Sequence, residues 1–158
     1  MTYWLMKSEP SVYSIDSLAR DGVSGWEGVR NYQARNLMRD AMKLGDRALF
    51  YHSNTTPPGV AGVMRVVREA YPDDTALDPT SPYHDPRSRD GRTVWVRVDL
   101  AFEARLPAFV SLDRMKADPA LEGMLVIRRG MRLSVQPVEP AHFAHVLQLG
   151  GLVGCSIE

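Results

Sequence analysis

The chain has 158 residues, 44% hydrophobic and 24% charged, and its nineteen basic and nineteen acidic residues cancel to a formal net charge of +0. That size and composition describe one ordinary domain spanning 1–158, and charge neutrality excludes a protein that grips duplex DNA mainly through many phosphate contacts. Cys155 is the only cysteine, which excludes a disulfide framework and a thiolate metal cluster; a reducing compartment, by default the cytoplasm, is expected.

The N-terminal run MTYWLMKSEP has too short an apolar core for a signal peptide, and no apolar stretch approaches membrane-spanning length, so no membrane partner is expected. Tyr3 to Lys7 reads as a first strand leaving through Ser8, Glu9 and Pro10. Ser14 caps a short helix that turns Ile15, Leu18 and Ala19 inward and stops near Gly22.

The stretch from Gly25 to Asp46 organises the chain. Trp26 sits between Gly25 and Gly28, Asn31 is placed as an N-cap, and Ala34, Leu37, Met38 and Ala41 recur at helical spacing up to a stop at Gly45. Its polar residues therefore stand at a helix start, where unpaired backbone N–H groups suit a phosphate or a base edge.

Ala48 to His52 predicts a short strand and Ser53 to Gly59 a turn-rich loop. Val60 to Val67 resumes as a strand, with Gly62 marking a bulge or a close backbone approach. Residues 72–92 form a long polar loop, of the kind that is either functional or disordered. From Val94 to Phe102 the alternation is clean, with Val94, Val96, Val98, Leu100 and Phe102 on one face and Trp95, Arg97 and Asp99 on the other.

Ser111 caps a short helix, Pro119 opens a segment ending at Gly130, Met131 to Val135 predicts a strand and Pro140 to Leu149 a last helix, followed by a loose tail from Gly150. The sum is a mixed α/β (α+β) fold: short strands in a curved sheet or barrel, with helices inserted between them.

Four segments carry a further signal: YWLMKSEP at Tyr3 to Pro10, WEGVRNYQARN at Trp26 to Asn36, GDRALFYHSN at Gly45 to Asn54, and RRGMRLSVQPV at Arg128 to Val138. Together, in order and over essentially the whole chain, they resemble the EVE domain family. The resemblance implies a PUA-like fold, a small β-barrel with flanking helices, related to the YTH domains that read methylated adenine in RNA. It also implies a non-enzymatic module, without cofactor or metal, that binds a modified nucleobase in DNA or RNA.

The same resemblance implies a pocket drawn from Lys7, Ser8, Trp26, Val29, Arg30, Asn31, Ser53, Asn54, Tyr83 and Asp85. Trp26 would be one stacking wall and Tyr83 or His84 the other; the loop PTSPYHDPRSR offers no Trp. The chemistry is coherent, because a base read outside its duplex needs flat walls and hydrogen-bonding groups at its edge. Stacking on an aromatic returns roughly 1–3 kcal/mol per base. Arg30, Arg35 and Arg129 are candidates for flanking phosphates.

Other readings stand beside this one. Trp4 and Trp95 read as structural, and His52 as a packed strand residue. His142 and His145 share a helix face as metal ligands do, but have no third ligand nearby in sequence. Arg87, Arg89 and Arg92 mark either a solvated loop or one that closes over nucleic acid. Lys7, Ser8 and Glu9 have the residue types of an ASCH-like nucleoside hydrolase, yet consecutive residues on a strand point to alternate faces. A protein-interaction module is the third alternative.

Overall fold

The computed structural model describes residues 1–152; Cys155 and the end of the tail lie outside the described residues. The first strand, β1 (Tyr3–Ser8), is buried from Tyr3 through Met6. Period two sends Trp4 and Met6 into one apolar cluster and Tyr3 and Leu5 into another on the opposite face. A strand covered on both sides needs no polar alternation, which is why it reads as an unbroken apolar run.

β3 (Arg47–His52) runs parallel to β1, and β4 (Gly59–Pro72) and β5 (Val96–Ser111) continue the sheet antiparallel. β2 (Val23–Gly25) borders β5 and β6 (Val135–Val138) borders β1, so the order is β2-β5-β4-β3-β1-β6. The expected closed barrel is corrected here: the two end strands do not pair, and the mixed sheet stays open. β2 has only three residues, and β6 contains Pro137, which donates no ladder hydrogen bond and belongs on an edge. Curvature comes from β4 and β5, whose pairing shifts register four times.

One face is covered by α1 (Ile15–Asp21), Trp26 and α2 (Tyr32–Asn36); the other by α3 (Leu112–Lys116), α4 (Pro140–Leu149) and the apolar side chains between them. Ser14 and Asn31 cap α1 and α2 as expected. After Asn36 the helix widens into a π turn, Leu37–Ala41, closed by the Met42 N–H on the Leu37 carbonyl at 3.0 Å. The extra residue shifts the phase, so Met42 is buried and Ala41, expected inward, is exposed.

Gly62 combines both expected roles. Ala61 is the extra residue of a bulge against β3, and a Cβ on Gly62 would collide with the Ile15 side chain and lie 2.7 Å from the Ala104 carbonyl oxygen. The strand expected at Met131–Val135 lies instead at Val135–Val138, because β1 supplies partners only from Tyr3 to Met6 in that register. Residues 131–134 are left at the end of β1, where the Ser134 carbonyl accepts the Lys7 N–H.

β5 begins two residues later than the alternation suggested: Val94 is exposed, while Trp95 is buried with its indole N–H on Asp85. The described part of the tail is pinned to α4, with Gly150 and Leu152 donating to the Val146 and Leu147 carbonyls. Among the described residues no helix is long and apolar enough to cross a membrane.

Candidate nucleobase cleft

A cleft of about 620 Å³ opens where β1 ends, between the segment 24–30 and the loop 81–83. Trp26 forms its inner wall. The Trp26 N–H donates to the Val98 carbonyl at 2.7 Å and the ring packs edge-on against Phe50, 5.3 Å between centroids at 81°. Only 8% of Trp26 is exposed, so the same side chain belongs to the core and to the cleft.

Tyr83 approaches from the long polar loop. Gly28 allows it: at φ +85° a side chain is strained, and a Cβ there would stand 2.7 Å from the tyrosine ring. Two further groups tie the walls together. The Asp73 Oδ2 accepts the Gly28 N–H and Arg30 Nη1, both at 2.9 Å, while Oδ1 accepts the Thr75 N–H at 3.1 Å and its hydroxyl at 2.5 Å.

Arg30 in turn donates from Nε and Nη2 to the Tyr83 carbonyl at 3.1 and 2.7 Å. Burial alone would raise the Asp73 pKa, but the hydrogen bonds from Thr75, Gly28 and Arg30 outweigh it and hold the carboxyl below its ordinary value. The planar guanidinium fork is what joins one carboxylate to one carbonyl.

The polar lining comes from Lys7, Ser8, Glu9, Ser24, Glu27 and Ser134. Lys7 donates to the Met131 carbonyl at 3.3 Å and sits 5.8 Å from the Tyr51 ring centroid; burial lowers its pKa. Ser8 gives its hydroxyl hydrogen to the Tyr13 carbonyl at 2.6 Å. Glu27 is held by Arg97 at 3.0 Å, and Glu9 accepts from Asn54 Nδ2 at 3.2 Å. β1 ends at Ser8, so Lys7, Ser8 and Glu9 all border the cleft rather than alternating across a sheet.

Of the residues expected in a pocket, Lys7, Ser8, Trp26, Val29, Arg30 and Tyr83 line this cleft. Tyr83, not His84, faces it. Asn31 is outside: its Oδ1 accepts the Ala34 N–H at 2.9 Å. Ser53 and Asn54 do not line it either; Ser53 donates its N–H to the Ser8 carbonyl, and Asn54, at φ +52°, reaches the site only through Glu9.

Asp85 is turned away from the cleft. Its carboxylate accepts the Trp95 indole N–H at 2.8 Å and the Arg87 N–H at 3.0 Å, which hold its pKa below the ordinary value. Arg35 donates to the Val94 carbonyl at 3.0 Å, and Arg129 is exposed.

Sequence reasoning missed Asp73, Glu27 and the serines at 24 and 134. No local pattern marks them, because they reach the site from three separate stretches of the chain: Ser24 and Glu27, Asp73, and Ser134.

His52 is packed in β3, its Nε2 accepting the Ile15 N–H at 3.1 Å, and His145 bonds Asp118 at 2.6 Å. Among the described residues no group of three His, Cys, Asp or Glu side chains is placed to hold a metal.

The model of the EVE domain matches residues 2–149. The chain belongs to the EVE domain family. Human thymocyte nuclear protein 1 is 40% identical over 167 residues, covering 94% of this chain and 73% of that protein.

The human THYN1 protein, solved in complex with 5-methylcytosine-containing DNA, superposes with a TM-score of 0.87 at 40% identity, covering 95% of this chain and 98% of that one. A hypothetical protein from Leishmania major gives a TM-score of 0.91 at 49% identity over 96% of both chains. The YTH domain of the Zygosaccharomyces rouxii MRB1 protein, covering 94% of this chain and 86% of its own, gives 0.56 at 14% identity and shares the fold.

Proposed function

We propose that this EVE domain is a non-catalytic reader that takes one modified nucleobase of a DNA or RNA strand into the cleft. The observation that carries the reading is that Trp26 and Tyr83 both line a cleft edged by hydroxyls, carboxylates and one lysine. Aromatic side chains can stack on any base, and Ser8, Ser24, Glu27 and Ser134 supply donors and acceptors for its edge. The relative of known complex, human THYN1, was solved with 5-methylcytosine-containing DNA, which supports a methylated pyrimidine as the first candidate.

Absence of turnover is supported by how the hydroxyl and amine are engaged. A Lys–Ser pair needs the amine to take the hydroxyl proton. Here Ser8 directs that proton to the Tyr13 carbonyl and Lys7 donates to the Met131 carbonyl. The PUA-like comparison with YTH domains belongs to this reading as well, though with an open sheet in place of a barrel.

The test is a calorimetric titration with short single-stranded DNA and RNA carrying plain or methylated cytosine or adenine at one position. Binding that depends on the methyl group and falls about fivefold or more in Tyr83→Ala is the expected result, from roughly 1–3 kcal/mol of lost stacking. Equal binding of plain and modified strands, or full affinity in Tyr83→Ala, overturns it.

A further inference from the structure

A second hollow of about 310 Å³ lies beyond Tyr83 on the same long loop, lined by Tyr32, Arg87, Ser88, Arg89, Arg92 and Thr93 around the base formed by Asp85. Its charge is unusual for a chain with no net charge. Arg89 and Arg92 are exposed, and among the described residues neither has a carboxylate within ion-pair distance. They are held on a tight turn by the Arg92 N–H on the Arg89 carbonyl at 3.1 Å, with Asp90 and Gly91 at positive φ. The Arg87 side chain is 77% exposed and reaches Asp85 only at 3.5 Å.

Tyr32 adds a flat surface. It is 51% exposed, tilted against Trp95 at 4.8 Å between centroids, with the Arg35 guanidinium 5.1 Å from its ring. This hollow and the cleft flank one shared layer: Arg30 stands 5.5 Å from the Trp95 ring and 6.0 Å from the Tyr83 ring. Tyr83 on the cleft side and Tyr32 on the hollow side are thus linked through Arg30 and Trp95.

We propose that this hollow is a second subsite, in which Arg87, Arg89 and Arg92 hold a backbone phosphate and Tyr32 stacks the neighbouring base of the strand read in the cleft. The proposal rests on the nucleobase reading of the cleft. Guanidinium groups pair with phosphate oxygens through charge-assisted hydrogen bonds, and an aromatic face accepts any base. The subsite thus adds affinity without adding sequence preference, as phosphate contacts do. DNA and RNA share this chemistry.

The experiment compares wild type, the triple variant Arg87→Gln, Arg89→Gln, Arg92→Gln, and Tyr32→Ala. The probes are 5-methyl-2′-deoxycytidine, a DNA pentanucleotide carrying 5-methylcytosine at its centre, its RNA counterpart, and pentathymidylate. The nucleoside should bind all three proteins alike. Both pentanucleotides should bind the triple variant about tenfold more weakly at low salt, with the slope of log affinity against log salt reduced by about 0.7, the contribution of one phosphate contact on a single strand. Tyr32→Ala should lose about fivefold or more on the pentanucleotides.

An unchanged pentanucleotide affinity and salt slope in the triple variant overturns the subsite, as does a wild type that binds pentanucleotides no better than the nucleoside. Arginine-dependent binding of pentathymidylate without any nucleoside binding would retain the subsite and reject the reading of the cleft.

Discussion

Asp73→Asn should uncouple the two walls of the cleft. In the native chain Asp73 is fully buried and accepts four hydrogen bonds, two on each carboxylate oxygen. An asparagine keeps one acceptor oxygen and replaces the other by an amide that can only donate. With the oxygen toward Thr75, the amide faces two other donors, the Gly28 N–H and Arg30 Nη1.

One neutral hydrogen bond, about 0.5–1.5 kcal/mol, and one charge-assisted bond, about 1.5–3 kcal/mol, are then lost together, so a destabilisation of roughly 2–4 kcal/mol follows. The partial exposure of Arg30, 24% of its side chain, places the value toward the lower end. Urea denaturation reads this as a lower midpoint at constant slope.

The functional loss should exceed the loss explained by unfolding alone, because Arg30 loses the Asp73 anchor on Nη1 that orients its Nε and Nη2 toward the Tyr83 carbonyl. Each residue that must be reordered when a base binds costs about 1–2 kcal/mol, so nucleoside affinity should drop tenfold or more in protein that is still folded. A variant destabilised by less than about 1 kcal/mol, with native nucleoside affinity, would refute the hub.

Gly28→Ala tests the close approach of Tyr83 with little effect on the core: about 1–2 kcal/mol of backbone strain at φ +85°, read by thermal melting, and a tenfold or greater loss of base binding as the tyrosine ring is displaced. For His52, burial lowers the pKa, with Asp16 opposing in part, and the neutral ring accepts the Ile15 N–H. A depressed folded pKa means this contribution is present above the ordinary value near 6.5 and is lost as pH falls through the lower folded value. The melting temperature should therefore decline on acidification below about pH 6.5 by the worth of one hydrogen bond, about 1 kcal/mol, and His52→Gln should flatten that decline. An identical pH profile in both proteins would remove His52 from this role.

Local patterns carried far in this chain. Ser14, Asn31 and Ser111 act as caps because a side-chain oxygen three residues before an unpaired N–H is a short-range requirement. β1 and β3 were legible as apolar runs because both of their faces are covered. What was not legible depends on partners distant in sequence. β6 is set by its register against β1, the π turn by the burial of Met42, and the open sheet by the failure of β2 and β6 to meet.

The site divides in the same way. Trp26, Lys7 and Ser8 lie in compact motifs and reach the cleft, as does Tyr83 from the long loop. Asp85 sits two residues after Tyr83, yet its carboxylate is needed beneath the Trp95 indole. Asp73, which appears in the sequence as one more acid in a polar loop, becomes the junction of three segments.

The position of Trp26 governs how this site can be probed. The Trp26→Ala variant, the obvious test of a stacking wall, removes a side chain that is 92% buried against Phe50 and the core around it. Truncations of this size cost about 3–5 kcal/mol, a large part of the roughly 5–15 kcal/mol that holds a domain together. Lost binding in that variant would therefore not separate a missing wall from a missing fold. Tyr83 is the partner without this ambiguity, because it closes the cleft from a loop, half-buried, with its ring against the Cβ-free face of Gly28 and beside the Arg30 guanidinium. Folding thus secures one wall of the cleft and the Asp73–Arg30 hub positions the other, so base affinity can change through the loop while the sheet beneath it stays intact.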